Sequence, residues 1–280
     1  FWYFCKENVE FSVFETGLGG SFDSVTVCNP QLTVMTPISY DHKEILGDTL
    51  EKITLEKTGI LKNNISLISA KQNSAVEKII LAEAKANNCK VFFCNNQLNI
   101  KLQHLKGIHQ IENATLAVEA VTMLDWINLD RKTMQNSVVK TKWFGRYQII
   151  NKAPLIIFDV GHNAHGINAF IKEFIQEHIE GKKYLIIALQ GRKDITSVVA
   201  AIENEFDEII CTQTGERNFM SAETLEKLFC DGKTKLIINP ESAISEYNIK
   251  LNKEDSLAII GTHYLGKPIQ RVYKILFDIL

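Results

Sequence analysis

Apolar and polar residues alternate over 9–18 (Val-Glu-Phe-Ser-Val-Phe-Glu-Thr-Gly-Leu) and then give way to glycines, which predicts a strand entering a loop. A second short strand is expected over 32–38, stopping near Asp41-His42. Residues 48–60 carry helical spacing, with Leu50, Ile53 and Leu55 apolar and Asp48 as the expected N-cap. A strand at 65–69, a helix at 74–86 and a strand at 91–93 follow, then helices at 111–126 and 130–142. After Lys142 the pattern becomes a regular alternation. Strands are expected at 155–160, 184–189, 208–212, 236–238 and 257–261, with helices at 166–179, 195–206, 221–229, 241–251 and from 268. Parallel strands need crossovers of this length, so the C-terminal half reads as a doubly wound α/β domain. The change of pattern places a boundary at 149/150, giving domains 1–149 and 150–280. The opening Phe1-Trp2-Tyr3-Phe4-Cys5, followed by Lys6 and Glu7, reads as the last turn of an amphipathic helix, and a truncated N-terminus is the expectation.

Composition narrows the function classes. Of 280 residues 45% are hydrophobic and 23% charged, which argues against a disordered chain. Lys plus Arg (31) nearly balances Asp plus Glu (33), for a net charge of −2, so a nucleic-acid coat or a polybasic membrane binder is not expected. No apolar run reaches the roughly 18 residues of a membrane helix. Cysteines 5, 28, 89, 94, 211 and 230 form no C-x-x-C pair and read as buried free thiols, which points to a reducing, cytoplasmic setting.

Candidate chemistry sits where strands end. Glu15 precedes Gly17-Leu-Gly-Gly20, and Asp41-His42 closes the next strand. A carboxylate and an imidazole on neighbouring strand ends can hold a divalent metal, with oxygen ligands favouring Mg²⁺; equally, they can be turn residues that never meet. The glycines form neither a Walker A loop nor a dinucleotide fingerprint. In an open parallel sheet ligands lie beyond the carboxyl ends of the strands. That marks Asp159-Val-Gly-His-Asn163, residues 190–194 with Lys193 and Asp194, Thr212 to Thr214, and Gly261-Thr-His263. By residue type alone Arg146 reads as a surface ion pair or an anion ligand, and Lys57 as a solvated helix charge. Asp159 reads as a helix cap or a site carboxylate, while His162 and His165 fit loop hydrogen bonding. His104, His109, His178 and His263 read as structural.

In order along the chain, these segments resemble the folylpolyglutamate synthase/dihydrofolate synthase family, a branch of the Mur-type ATP-dependent ligases. Glu15-Thr-Gly-Leu-Gly-Gly-Ser-Phe-Asp23 is similar to E-V-G-L-G-G-R-x-D, and Ile38-Ser-Tyr-Asp-His42 with Leu46-Gly-Asp-Thr-Leu50 to I-x-x-D-H…L-G-x-T. Leu55-Glu-Lys-Thr-Gly-Ile60 resembles R-E-K-A-G-I, and 110–117 resembles the P-x-N-A-x-x-A helix start. Phe144-Gly-Arg-Tyr-Gln148 is similar to P-G-R-x-Q, Asp159-Val-Gly-His-Asn-Ala-His165 to D-x-A-H-N-P-x, and Gly261-Thr262 stands where the family has G-S.

The resemblance implies an incomplete Mur-ligase-type ATPase domain followed by a Rossmann-like ligase domain. It implies phosphorylation of a folate or pteroate carboxylate by ATP, then attack of L-glutamate on the acyl phosphate, as in folate biosynthesis and one-carbon metabolism. Glu15 and His42 would ligate Mg²⁺, and a modified Lys57 would bridge to a second metal, with a monovalent cation as a further option. Asn113, Arg146 and Asp159 would face ATP, and His162 the phosphates. Asp23, Lys193, Asp194 and Thr262 would lie on the substrate side. The partners implied are folate or dihydropteroate and L-glutamate, with neither nucleic acid nor membrane, and a monomer is expected. The pattern departs from the family in several places. Ser21 replaces Arg, Ser24-Val-Thr26 replaces A-T-N, Gly161 replaces Ala, Ala164 replaces Pro, and Arg192 replaces the first Asp of D-K-D. The phosphate loop G-T-N-G-K-G-S is not in this sequence, so the chain by itself is expected to be inactive. A peptidoglycan-type Mur ligase fragment and a non-catalytic nucleotide-binding remnant are the alternative readings.

Overall fold

The computed structural model describes residues 1–277 apart from Arg192, Arg217 and Asp231. The chain divides into two compact units, Phe1–Asn99 with Glu112–Gln135, and Ile100–Ile111 with Asn136–Leu280.

The first unit contains, in chain order, α1 (Trp2–Lys6), β1 (Thr33–Met35), α2 (Lys43–Leu46), α3 (Leu50–Thr58), β2 (Leu67–Ala70), α4 (Ser74–Ala86) and β3 (Val91–Cys94). Two more helices, α5 (Ile108–Thr122) and α6 (Arg131–Lys140), are each divided between the units, residues 112–122 and 131–135 belonging to the first. The strands are parallel in the order β1-β2-β3. Right-handed crossovers put α3 and α4 on one face. There Ile53, Val76, Ile80 and Ala84 pack on Met35 and Leu67. Successive residues of a strand face opposite ways, so Ile68 and Ala70 instead meet Leu116 and Ala120 of α5. Thr49 rather than Asp48 caps α3: its hydroxyl accepts from the Lys52 amide at 3.3 Å, while Asp48 pairs with the Lys52 ammonium at 2.8 Å.

The second unit follows with β4 (Gln148–Lys152), β5 (Leu155–Asp159), α7 (Ala164–Phe174), β6 (Lys183–Ile187), α8 (Thr196–Glu205), β7 (Glu208–Cys211), α9 (Ala222–Glu226), β8 (Thr234–Leu236), α10 (Pro240–Lys250), β9 (Ser256–Ile260) and α11 (Gly266–Tyr273). Its sheet has the order β4-β5-β9-β6-β7-β8, with only β4 antiparallel to its neighbour. The steps from β5 to β6, β7 and β8 run one way across the sheet, and the step to β9 runs back. Right-handed crossovers therefore put α7, α8 and α9 on one face and α10 on the other. Leu185 and Ile187 pack with Phe170, Phe174, Ile202 and Leu225 on the first face. Tyr184 and Ile186 pack with Ile244, Tyr247 and Ile269 on the second. The fold is α/β throughout, as its alternating pattern predicts.

Three expectations are corrected. Residues 9–18 form no strand, and Val13 is 94% exposed, because alternation assigns faces but a strand also needs a hydrogen-bonding neighbour. Residues 148–152 form the edge strand β4, so the boundary placed at 149/150 falls inside the second unit. All six cysteines are free, but only Cys211 is buried; Cys5 and Cys230 are exposed. Among the described residues no helix is long and apolar enough to cross a membrane.

Because β6 is covered on both faces, Ile186→Ala and Ile187→Ala, each fully buried, should cost similar amounts, about 2–5 kcal/mol in urea unfolding. Val34→Ala on the half-open strand β1, where the side chain is 43% exposed, should cost less than about 1 kcal/mol.

Candidate functional site

At the carboxyl end of β5 the Asp159 carboxylate accepts two backbone amides, Tyr147 to Oδ2 and Gly161 to Oδ1, both at 2.7 Å. The Gly145 carbonyl accepts from the Val160 amide at 2.8 Å, and the Gln148 side chain accepts from the Gly145 amide at 3.0 Å. The 145–148 turn is thereby stapled to the strand end. Gly145 has φ +69° and lies so close to Val160 that a Cβ would be 2.5 Å from Cγ1. Tyr147 also has positive φ, +48°, a conformation that costs a bulky residue about 1–2 kcal/mol. Between them Arg146 is exposed, close enough to Asp159 and His109 to act on both electrostatically. Burial pushes the Asp159 carboxyl above the usual carboxylate range, opposed by the two amides, Arg146 and His162. Asp159 does not cap α7. Asn163 does, its Oδ1 accepting from the Gly166 amide at 2.8 Å. His162 donates from Nδ1 to the Val160 carbonyl at 3.1 Å, which fixes its tautomer.

Further along the same edge, Gly261 (φ +109°) lies against the Ala188 carbonyl, where a Cβ would collide. Thr262, 3% exposed, caps the short 3₁₀ turn His263–Leu265 by accepting from the Tyr264 amide at 3.4 Å. Asp194 accepts from the Thr196 amide at 3.0 Å at the start of α8, and Lys193 is half-buried beside it. Arg192 lies outside the described residues.

In the first unit the 17–23 loop docks on the C-terminal end of α3. The Ser21 amide donates to the Glu56 carbonyl at 3.1 Å, and a Cβ on Gly20 would be 2.6 and 2.7 Å from the carbonyl oxygens of Glu56 and Lys57. This contact, rather than a phosphate cradle, is what the adjacent glycines serve. Asp23 accepts from the Val25, Gly17 and Leu18 amides at 2.9, 2.8 and 3.1 Å, and these bonds hold its carboxyl below the usual range. Its contacts thus lie within its own loop. Lys57 is half-buried in the last turn of α3, and Glu15 and Asn113 are exposed. His42 has left-handed backbone, φ +49°, with its ring nitrogens 3.8 Å from Glu44 and 3.9 Å from Asp41. Among the described residues no three His, Cys, Asp or Glu side chains converge as a metal group. Glu15, His42 and an unmodified Lys57 therefore do not make a metal centre by themselves.

Residues 145–263 match the family described as Mur ligase, glutamate ligase domain. The curated relatives that the chain resembles are dihydrofolate synthases and folylpolyglutamate synthases. It is 29% identical over 233 residues to the dihydrofolate synthase/folylpolyglutamate synthase of Bacillus subtilis, covering 72% of this chain and 54% of that protein. It is 28% identical over 311 residues to a probable dihydrofolate synthetase of Schizosaccharomyces pombe, covering 97% of this chain and 73% of that one. The chain spans little more than half the length of the Bacillus relative. The fold is shared with Mycobacterium tuberculosis folylpolyglutamate synthase complexed with ADP (TM-score 0.86, 22% identity, 98% of this chain and 70% of that one). It is shared also with the Yersinia pestis bifunctional enzyme complexed with AMPPNP and Mn (TM-score 0.80, 19% identity, 93% and 66%).

Two residues that hold these edges gave no motif signal. Gln72, 9% exposed, receives the Ile38 amide at 2.9 Å and donates to the Thr36 carbonyl at 3.0 Å, tying down the segment that leads to His42. His109, read as structural, sits beside Arg146 and His165, its ring in contact distance of the Gln110 amide nitrogen at 3.2 Å. The Gln110 amide is the donor, so Nε2 accepts and the ring is neutral. His109 lies four residues before Asn113, next to the 110–117 segment that resembles the family's helix start, and this was the available clue.

Asp159→Asn should destabilise the second unit by about 1–3 kcal/mol, because an amide can accept only one of the two backbone donors. Urea unfolding followed by tyrosine fluorescence measures this. His109 is held below its ordinary pKa of 6.5 by burial first, then by Arg146 and His165. The unfolded chain then binds the proton at higher pH than the folded one, so stability falls as pH drops through about 6.5. Subtracting His109→Gln unfolding curves from the parent's between pH 5 and 8 should isolate this slope; identical slopes would contradict it.

Proposed function

We propose that this chain is part of an ATP-dependent ligase that joins L-glutamate to a folate or pteroate carboxylate. The observation that carries this reading is the Asp159 staple, which presents Arg146 at the carboxyl edge of the sheet inside the segment matching the glutamate ligase domain. The reaction has two steps. A substrate carboxylate oxygen attacks the γ-phosphorus of ATP and ADP leaves; the glutamate nitrogen then attacks the acyl carbon, phosphate leaves and the nitrogen loses a proton. Negative charge accumulates on phosphoryl oxygens in both steps, so a fixed cation lowers the barrier. Arg146 fills that role, with His162 near the phosphates and Asn113 toward the nucleotide. Asp159 keeps unused lone pairs for ribose hydroxyls while its two amide bonds hold the turn. Asp23, Lys193, Asp194 and Thr262 belong to the substrate side. Complexes of the Mycobacterium and Yersinia relatives with ADP, or with AMPPNP and Mn, support nucleotide and divalent metal as ligands. A carbamylated Lys57 would join Glu15 and His42 as an oxygen ligand to Mg²⁺. The chain would act in the cytoplasm as a monomer.

This sequence holds no G-x-x-x-x-G-K-[ST] segment to wrap a triphosphate. Residues 1–280 alone should therefore release no ADP in response to glutamate plus dihydropteroate or tetrahydrofolate, and release requiring both substrates would contradict this. In a chain that also carries such a loop, Arg146→Ala should lower kcat/KM at least tenfold, as a lost charge-assisted hydrogen bond of about 1.5–3 kcal/mol implies. Kinetics within twofold of the parent would place Arg146 outside the site.

A further inference from the structure

Three side chains with no part in the proposed reaction converge behind the Arg146 turn. The Tyr147 hydroxyl donates to Glu177 Oε1 at 3.2 Å, and the Lys106 ammonium donates to the same oxygen at 2.5 Å. Lys106 Nζ also lies 5.0 Å from the centre of the Tyr147 ring. That ring is 3% exposed and packs at a tilt on Phe170, 5.5 Å between centroids. Tyr147 is thus held by its amide on Asp159, by its ring on Phe170 and Lys106, and by its hydroxyl on Glu177. The contacts span the 100–111 segment, the turn and the residues after α7, so local sequence alone would not assemble them.

We propose that Tyr147, braced by Glu177 and Lys106, is a positioning residue that aims Arg146 at the phosphates of a nucleotide. The physical argument is one of lever and base. Arg146 is exposed and reaches forward on a flexible stem, so its aim depends on the backbone at its root. The next residue takes a left-handed conformation that few side chains adopt freely, and without restraint the turn would relax to other conformers. An aromatic ring buried beneath that turn removes this freedom, because the backbone cannot rotate without withdrawing the ring from its pocket. The hydroxyl bond to Glu177 stops the ring from sliding out along its own axis. Lys106 neutralises Glu177 and keeps that carboxylate oxygen in place. Asp159 holds the turn by its backbone, whereas the Tyr147 side chain holds it from behind.

The inference rests on the proposed role of Arg146, and hydrogen exchange on the 280-residue chain together with nucleotide binding separates the brace from that role. Hydrogen exchange by NMR reads the brace directly. Tyr147→Phe keeps the ring and removes the hydroxyl, and Glu177→Gln keeps an acceptor but drops the charge facing Lys106. Each should speed exchange of the Tyr147 amide at least tenfold, with amides of β6 and β7 changing less than twofold. An unchanged Tyr147 amide in both variants would overturn the brace. ADP titration by calorimetry, in a chain that also carries a G-x-x-x-x-G-K-[ST] loop, reads the aim. Tyr147→Phe should weaken ADP binding at least fivefold, while the double variant with Arg146→Ala should bind within twofold of Arg146→Ala alone, because the tyrosine acts only through the arginine. Losses that multiply, or undiminished binding in Tyr147→Phe, would overturn the positioning role. A chain that binds no ADP, or binds it equally well as Arg146→Ala, overturns the reading of the nucleotide site and the purpose of the brace with it. Exchange would still report whether the brace exists.

Discussion

One carboxylate accepting two backbone amides organises the carboxyl edge of the second sheet. Asp159 bonds Tyr147 in front of β5 and Gly161 behind it, each at 2.7 Å, and so closes two turns on one side chain. Charge-assisted hydrogen bonds of this kind contribute about 1.5–3 kcal/mol each, enough to offset the left-handed backbone of Tyr147. The glycines follow from the same closure. Gly145 lies against Val160, and Gly161 lies against the start of α7, where a Cβ would be 3.0 Å from the Gly166 backbone. With these turns closed, Arg146 and His162 leave the edge from fixed roots.

A comparable economy governs the first unit. A helix ends with carbonyls that have no partner within it, and α3 gives the Glu56 carbonyl to Ser21 and Gly59. The 17–23 loop can approach this end only because Gly20 has no side chain, and Asp23 ties the loop's two limbs together through three amides. Lys57 sits in the same turn of helix, so its position is set by how this loop closes over the helix end. Ser21 uses its amide and its hydroxyl on the Glu56 carbonyl.

Much of this was legible in the order of residues. Strands buried on both faces are continuous apolar runs, so β5, β6, β7 and β9 stood out, and the helices between them had the length that parallel crossovers require. The motif spacing located the turn at Arg146 and the strand end at Asp159. It misread Asp48 as a helix cap because Asp and Thr are both good caps at adjacent positions, and only backbone geometry chose Thr49. It read 9–18 as a strand because alternation is blind to whether a neighbour exists, and it passed over β4 for the opposite reason, since its polar residues pair on one side only.

The sequence by itself determined the α/β alternation, most of the helix and strand order and the resemblance to folylpolyglutamate and dihydrofolate synthases, because these depend on periodicity and on residues close together in the chain. Tertiary structure alone decided what each candidate side chain touches. Asp159 could have capped a helix, yet Asn163 does so, and Asp159 reaches twelve residues back to the Tyr147 amide. Glu177 and Lys106 carried no motif, yet they meet across 71 positions to hold one tyrosine. Hydrogen bonds and burial act at a few ångströms whatever the separation along the chain, so contacts between distant segments come into view only once the backbone is folded.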